Sequence, residues 1–514
     1  MDRRDFLKAA GLGAGALATG SLLPSPSEAS PGSPNILIIM CDQLSAHVLS
    51  CYGGPVETPN IDRLARGGVV FDNATCPTPY CSPSRASTVT GMYPHAHGIT
   101  LNCGARQNGL TDADVTTERI LHEQGYNTHQ YGKWHLHGEQ LYYYPDQYDL
   151  PHWTREMRDV LSVVETKDPD TFMRFYTIPL PVTVDHDFRP VAEEARKKWE
   201  DVPYGDFIAN MGRLNLSPED HFDARFTDHA VEAIRTTPPD QPFMVTLSLI
   251  CPHDPNVAPS PYYEMFDPGK LELPPNWQST FERYEKQWSR RIIADTGETG
   301  LREFLRVYYA MVKLIDDQVG RMIDILKATG RFDDTIIVFT SDHGDMVGGH
   351  GMAWKSTDAF FDEVMRIPMI FHYPRGFSPS RSAVPACLTN ICPTLLEMAG
   401  QPIPDQVQNV SLAPYLHGIG ATLGSPRYTY SERVAGHPDG LRVVTAGRNA
   451  HFAIRSPEWK YIRYKREGDQ YLFHLESDPL ETTDLFHDPA YSEVVDRLSE
   501  DMDAWLVRTG YPMA

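Results

Sequence analysis

Positive charge is scarce in this chain. There are 46 lysines and arginines against 68 aspartates and glutamates, a formal net charge of −22 at pH 7. So acidic a surface repels nucleic acid and anionic membranes, and neither is expected as a partner. It also repels an anionic substrate at long range, so any such substrate must be drawn by a local cationic cluster. Cysteine is sparse too: eight in 514 residues, with no CxxC pair and no regular spacing. That argues against both a disulfide framework and a structural zinc site. Cys76 with Cys81, and Cys387 with Cys392, are close enough in sequence to pair, but each is expected first as a buried thiol. No internal repeat or low-complexity tract is present, and beyond the N-terminus no stretch is apolar enough to span a bilayer. Hydrophobic residues at 41% and charged residues at 22% are ordinary for a soluble globular protein. The length exceeds a usual single domain, so a large core with a smaller appended unit is expected.

The N-terminus runs Arg3-Arg4-Asp5-Phe6-Leu7-Lys8, then a small-residue apolar run from Ala9 to Leu23, then Ser27-Glu28-Ala29. The run is too short for a membrane span and too rich in glycine for a stable helix. The pattern looks like a twin-arginine export signal over residues 1–29, ending in an A-x-A-like processing site. It implies the Tat translocase as a transport partner, a periplasmic or secreted bacterial product, and no membrane attachment after processing. The acidity survives cleavage, because Arg3, Arg4 and Lys8 leave together with Asp2, Asp5 and Glu28.

Asn35 to Met40 is a continuous apolar run, as in a strand buried on both faces, and ends in Cys41-Asp42-Gln43. Thr58-Pro59 with Ile61, Leu64 and Ala65, closing on Gly67-Gly68, predicts a short helix capped by Thr58. Asn127 to Tyr131 predicts a strand running into Gly132-Lys133-Trp134-His135, and Pro242 to Ile250 a strand running into Cys251-Pro252-His253-Asp254. A helical stripe of Phe304, Tyr308, Met311, Ile315, Met322 and Leu326 lies between Glu303 and Ala328. The strand Thr335 to Thr340 follows and delivers Ser341-Asp342-His343-Gly344. This alternation predicts an α/β fold with a doubly wound, mostly parallel sheet, in which ligands bind beyond the carboxyl ends of the strands. Four strand ends carrying Asp42, Lys133 with His135, His253, and Asp342 with His343 point to a common site. Solvated loop starts would explain them singly, less easily together. Residues 34–425 are assigned to this catalytic domain. Residues 426–514, with short aromatic strands and a final helix from about Ala490 to Leu506, are assigned to a smaller α+β subdomain. The irregular stretch from Tyr142 to Arg225 is of the kind that shapes substrate access.

The strongest local signal is Cys81-Ser82-Pro83-Ser84-Arg85, continuing to Thr90-Gly91. With Ser82 as cap and Pro83 in the first turn, Cys81 would lie at a helix N-terminus, where backbone dipoles favour an anion. A lone cysteine there would be an ordinary buried thiol.

The eleven-residue stretch resembles the signature of the type I sulfatases of the alkaline phosphatase superfamily, departing at Val89, where leucine is common. The likeness extends to the Asp-bearing first strand and to the Gly-Lys-Trp-His, Pro-His-x-Pro and Ser-Asp-His-Gly segments. The resemblance implies that Cys81 is oxidised to formylglycine by a formylglycine-generating enzyme. It also implies a divalent metal, usually Ca2+, bound by Asp42, Gln43, residue 81, Asp342 and His343. Gln43 and His343 depart from the commonest pattern of aspartate and asparagine, and a nitrogen ligand leaves Mn2+ open. In this likeness Arg85, Lys133 and Lys355 form a cationic clamp on the sulfuryl oxygens. His135 takes the proton of the second hydroxyl of hydrated residue 81, and His253, assisted by Lys355, protonates the departing alcohol. The clamp is the local attraction that the acidic surface requires.

Three functions follow from the resemblance. The leading one is hydrolysis of sulfate monoesters, on a sulfated small molecule or carbohydrate. The second is phosphonate monoester or phosphodiester hydrolysis, since relatives with that activity share the nucleophile motif and the Asp-Gln and Asp-His segments. The third is a catalytically silent binding protein on the same fold, whose sign would be a lost motif residue. His95, His97 and His350 are expected to be structural. His137, where glycine often sits, could line the substrate pocket or merely occupy a loop.

Overall fold

The structure, a computed structural model, describes residues 33–103, 108–136, 182–185, 187–198, 211–356, 358–420, 426–435, 441, 442, 444, 450–464 and 468–512. The expected export signal, His137 and most of the stretch from 142 to 225 lie outside the described residues.

In chain order the main elements are β1 (Asn35–Asp42), α1 (Pro59–Gly67), β2 (Val69–Phe71), α2 (Cys81–Thr90), β3 (Asn127–Gly132), α3 (Phe222–Thr236), β4 (Phe243–Pro252), α4 (Trp288–Ala328), β5 (Thr335–Ser341), β6 (Met369–His372) and β7 (Ser380–Ser382). These strands form one sheet in the order β7-β2-β6-β5-β1-β4-β3. β5, β1, β4 and β3 are parallel neighbours, β7 is parallel to β2, and only β6 runs against its neighbours. The unbroken apolar run of β1 follows from burial on both faces, because successive side chains alternate across the sheet. Ile36, Ile38 and Met40 enter one core with Met244, Ile336, Val338 and Leu395. Leu37, Ile39 and Cys41 enter the other with Val245, Leu247, Phe226 of α3 and Phe304 of α4. The whole predicted stripe of α4, from Phe304 to Leu326, lies in that second core.

Two local expectations change. α4 begins at Trp288 rather than near Glu303, because Gly297, at φ 61° and ψ −157°, joins two helical segments through a backbone conformation that residues with a side chain rarely adopt. α1 starts at Pro59 as expected, but the Thr58 hydroxyl bonds to Ser50 Oγ at 2.9 Å and does not cap the helix. The Asp316 carboxylate of α4 does so from outside, accepting the Asn60 and Ile61 N–H groups at 3.0 and 2.9 Å.

Four antiparallel strands, β8 (Thr429–Arg433), β9 (His451–Arg455), β10 (Trp459–Tyr464) and β11 (Gln470–His474), form a separate sheet in sequence order, followed by α5 (Ser492–Thr509). Trp459 and Tyr461 pack with Met502 and Trp505 of α5, whereas Ile462 and Tyr464 pack with Phe360 and Phe361 of the main domain. On that inner face Lys460 Nζ pairs with Asp362 at 2.5 Å and Glu481 at 2.8 Å, and Arg455 adds three bonds to Asp362. Unpairing such buried charges is costly, about 3–5 kcal/mol, so this cluster fixes how the small sheet docks. Among the described residues no helix is long and apolar enough to cross a membrane. All eight cysteines are free thiols, so neither candidate pair is joined.

Candidate active site

The four parallel strands β5, β1, β4 and β3 stand side by side, and their carboxyl ends deliver the residues singled out in sequence. Asp42 closes β1 and Gln43 follows it; Lys133 and His135 follow β3; His253 follows β4; Asp342 and His343 follow β5. Lys355 comes from the loop after His343. α2 supplies Cys81, and the helix starts two residues earlier than expected: Cys81 is the first helical residue, and Tyr80 precedes it as cap. The Ser82 hydroxyl does not cap the helix. It donates to the His135 carbonyl at 2.5 Å and accepts the Cys103 N–H at 3.0 Å, because burial between two loops gives it tertiary partners.

Around Cys81 Sγ lie His343 Nε2 at 3.3 Å, Lys355 Nζ at 3.6 Å and Asp42 Oδ1 at 3.7 Å. Asp42, Cys81, Asp342 and His343 each offer a ligand atom, all within 4.8 Å of one another and all buried. His343 Nδ1 is 2.8 Å from the Gly344 carbonyl, which can only accept. Nδ1 therefore donates to that carbonyl, and Nε2 is the ring nitrogen turned toward the cluster, as metal-ligating histidines are commonly oriented. Gln43 Oε1 accepts from Lys355 Nζ at 3.3 Å. This donor set of two carboxylates, a carboxamide oxygen and an imidazole fits a divalent cation.

Arg85 is tied down on two sides. Its Nε donates to Asp342 Oδ2 at 2.7 Å, and Nη1 donates to the Lys133 carbonyl and Ser248 Oγ at 2.8 and 2.7 Å. Its Nη2 is buried and has no hydrogen-bond partner among the described residues. Lys133 Nζ pairs with Asp42 Oδ2. His253 Nδ1 is 2.6 Å from the Asp254 carbonyl, so Nε2 accepts from Lys355 Nζ at 2.7 Å.

These positions set the charges. Burial raises the Cys81 thiol and Asp42 raises it further, yet Lys133, Lys355 and His343 bring it below its ordinary value. Each of the other seven thiols is raised, chiefly by burial. Asp42 is held well below the carboxylate range: burial works against this, and His253, Lys133, Arg85 and His343 outweigh it. His135 is pushed down by burial, then by Lys133 and Arg85, and His253 by burial with Lys355 and Lys133 against Asp42. Lys355 is raised despite burial, by Cys81, Asp254 and Asp42. Across neutral pH the His253–Lys355 proton therefore resides on Lys355.

Every residue named from sequence for catalysis or metal binding lies at or beside these strand ends. Sequence reasoning missed the residues that hold them. Asp345 Oδ2 accepts from Gln43 Nε2 at 2.7 Å, Tyr308 donates to the Gln43 carbonyl at 2.7 Å, and Ser248 braces Arg85. Asp223 accepts the Ile250 and Cys251 N–H groups at 2.8 and 2.9 Å, anchoring the end of β4 that leads to His253. Asp345 stands two residues past His343 and was findable by proximity; nothing local marks the others. His95 pairs with Glu432 at 2.7 Å, His97 bonds Ser87 at 3.0 Å, and His350 stacks on Phe361 at 3.8 Å, all structural contacts.

Residues 34–401 match the sulfatase family, and residues 348–507 match the C-terminal part of N-sulphoglucosamine sulphohydrolase. The chain belongs to the sulfatase family. As such it is a sulfuric ester hydrolase. This sulfatase is 26% identical over 511 residues to the N-acetylglucosamine-6-O-sulfatase of Bacteroides thetaiotaomicron, covering 91% of this chain and 85% of that one. It is 29% identical over 478 residues to the choline-sulfatase of Rhizobium meliloti, covering 89% and 83%. In fold the sulfatase resembles the phosphonate monoester hydrolase of Agrobacterium radiobacter, with a TM-score of 0.68, 22% identity, and coverage of 93% of this chain and 96% of that one.

Proposed function

We propose that this sulfatase cleaves sulfate monoesters of carbohydrates through formylglycine made from Cys81, beside a divalent metal held by Asp42, Gln43, residue 81, Asp342 and His343. The observation that carries the reading is the setting of Cys81: a buried helix N-terminus with His343 Nε2, Lys355 Nζ and Asp42 Oδ1 all within 3.7 Å of its sulfur. Hydrated formylglycine supplies an oxygen nucleophile for sulfur, and the cation, Ca2+ or Mn2+, supplies positive charge beside it. The thiol sulfur stands where those oxygens would be.

The chain's own residues do the rest. Lys133, Lys355 and the uncommitted Nη2 of Arg85 bring positive charge to the sulfuryl oxygens, which carry the ester's negative charge, while the charge that develops as the ester bond breaks falls on the leaving oxygen. The departing alcohol takes its proton from the Lys355–His253 pair, where it is stored on Nζ against Nε2. His135, kept neutral by burial and by Lys133 and Arg85, takes the proton that must leave residue 81 when sulfate departs. The carbohydrate is suggested by the N-acetylglucosamine-6-O-sulfatase relative. Residues 34–425 are read as the catalytic unit and 426–514 as the appended one.

Gln43 and His343, which replace the commoner acidic and amide ligands, favour a second reading, hydrolysis of phosphonate monoesters or phosphodiesters. The test is kcat/KM on 4-nitrophenyl sulfate, N-acetylglucosamine 6-sulfate and 4-nitrophenyl phenylphosphonate in parallel, with mass spectrometry of the peptide bearing position 81. Faster turnover of the sulfates and a peptide lighter than the cysteine form are expected. Much faster phosphonate cleavage would establish the second reading, and an unmodified Cys81 with no turnover, from a host with the modifying system, would establish a silent binding protein.

Export is proposed through residues 1–29 and the Tat translocase, which carries folded proteins and so allows Cys81 to be modified and metal loaded beforehand. Replacing Arg3 and Arg4 by lysine is expected to leave the precursor in the cytoplasm. Undiminished periplasmic or secreted protein from that variant would refute the route.

A further inference from the structure

We infer that Asp345 is a positioning residue that selects which end of the Gln43 side chain faces the metal centre. The inference rests on the proposed role of Gln43 as a ligand. A carboxamide has an oxygen end and a nitrogen end of nearly equal size, and only the oxygen can ligate a cation. An aspartate ligand has no wrong end; glutamine at position 43 does, and something must choose. Gln43 Nε2 donates to Asp345 Oδ2 at 2.7 Å, and both residues are fully buried. Asp345 Oδ2 accepts there while Oδ1 accepts a backbone N–H, so the flipped amide would set oxygen against oxygen. On the other side Lys355 Nζ, which only donates, lies 3.3 Å from Gln43 Oε1. The two contacts choose the same orientation.

The chooser is itself fixed. Asp345 Oδ1 accepts the Val347 N–H at 2.8 Å, so its plane cannot turn freely. The backbone of Gln43, at φ 69°, is pinned by its N–H to Asp342 Oδ1 at 3.1 Å and by Tyr308 at its carbonyl. The competing account is that Asp345 merely braces the turn at Val347, whose φ is 46°. That account makes no demand on Gln43.

Metal-stripped full-length protein titrated calorimetrically with Ca2+, and separately with Mn2+, tests this. Asp345→Asn can pair with either end of Gln43, and affinity is expected to fall about 10–100-fold, the usual cost of losing a residue that orients a ligand. Adding Gln43→Glu to Asp345→Asn removes the wrong end, lets Asn donate to the new carboxylate, and is expected to restore most of the affinity. Gln43→Ala separates the two claims. Unchanged affinity in that variant would refute Gln43 as a ligand. A weakened Gln43→Ala with an undiminished Asp345→Asn would refute only the positioning role. If Asp345→Asn fails to fold, judged by thermal melting of the metal-free protein, the double variant decides. Tight binding upholds the inference, and weak binding or misfolding assigns Asp345 to the turn and overturns it.

Discussion

Cys81→Ala is expected to lower kcat/KM on aryl sulfates by on the order of 10⁴-fold or more, the scale seen when a nucleophile that acts in concert with its neighbours is removed. The substitution trims the end of one small buried side chain, a cavity costing on the order of 1 kcal/mol, so the fold should persist. The candidate metal cluster loses one member and keeps Asp42, Asp342 and His343, with Gln43 proposed beside them, so cation binding should survive in weakened form. Lys355 loses a neighbour at 3.6 Å but retains Gln43 and His253. Steady-state rates on 4-nitrophenyl sulfate, with a thermal melt to exclude unfolding, check this. A folded variant retaining activity within about tenfold of the parent would remove position 81 from the chemistry.

His253→Ala is expected to act selectively on poor leaving groups. On an alkyl sulfate such as N-acetylglucosamine 6-sulfate the rate should fall about 10²–10⁴-fold, the range of a lost general acid. On 4-nitrophenyl sulfate, whose phenolate leaves without a proton, the loss should be much smaller. The reason is the geometry at Lys355: with His253 Nδ1 committed to the Asp254 carbonyl, Nε2 is the acceptor that aims Nζ, at 2.7 Å. Without the ring, Nζ keeps only Gln43 and the neighbourhood of residue 81. Lys355→Ala should show the same dependence on leaving group together with a general loss, because it also removes a positive charge near the sulfuryl oxygens. Equal losses on both esters in His253→Ala would make His253 a binding residue and leave the proton to another group.

Much of this site was legible in the sequence because strand ends are marked by local pattern. The apolar runs of β1, β4 and β5, and the short polar strand β3, each stop at a cluster of Asp, His or Lys, and parallel packing brings those clusters to one edge. The stripe of α4 and the aromatic strands after Arg427 were legible for a similar reason, since periodicity records which face is buried. The local caps were misjudged. Thr58 and Ser82 have the right chemistry to cap helices, but buried hydroxyls near other loops found other partners, and α1 took its cap from Asp316, far along the chain. The helical stripe was read only from Glu303 onward, whereas the helix begins at Trp288 and passes through Gly297 as a joint.

By itself, then, the sequence determined the α/β class, the family resemblance carried by Cys81 to Gly91, and the identity of the polar groups each strand delivers. These depend on periodicity and short motifs, whose physics is local. Only the tertiary structure decided the states of those groups. Cys81 is the lowered thiol among eight because Lys133 and Lys355 arrive from separate loops; the His253 proton rests on Lys355; and Asp345, unremarkable in the chain, holds the amide of Gln43. Charge and hydrogen-bond partnership fall off within a few ångströms in space, and the residues responsible are separated by up to 302 positions in the chain.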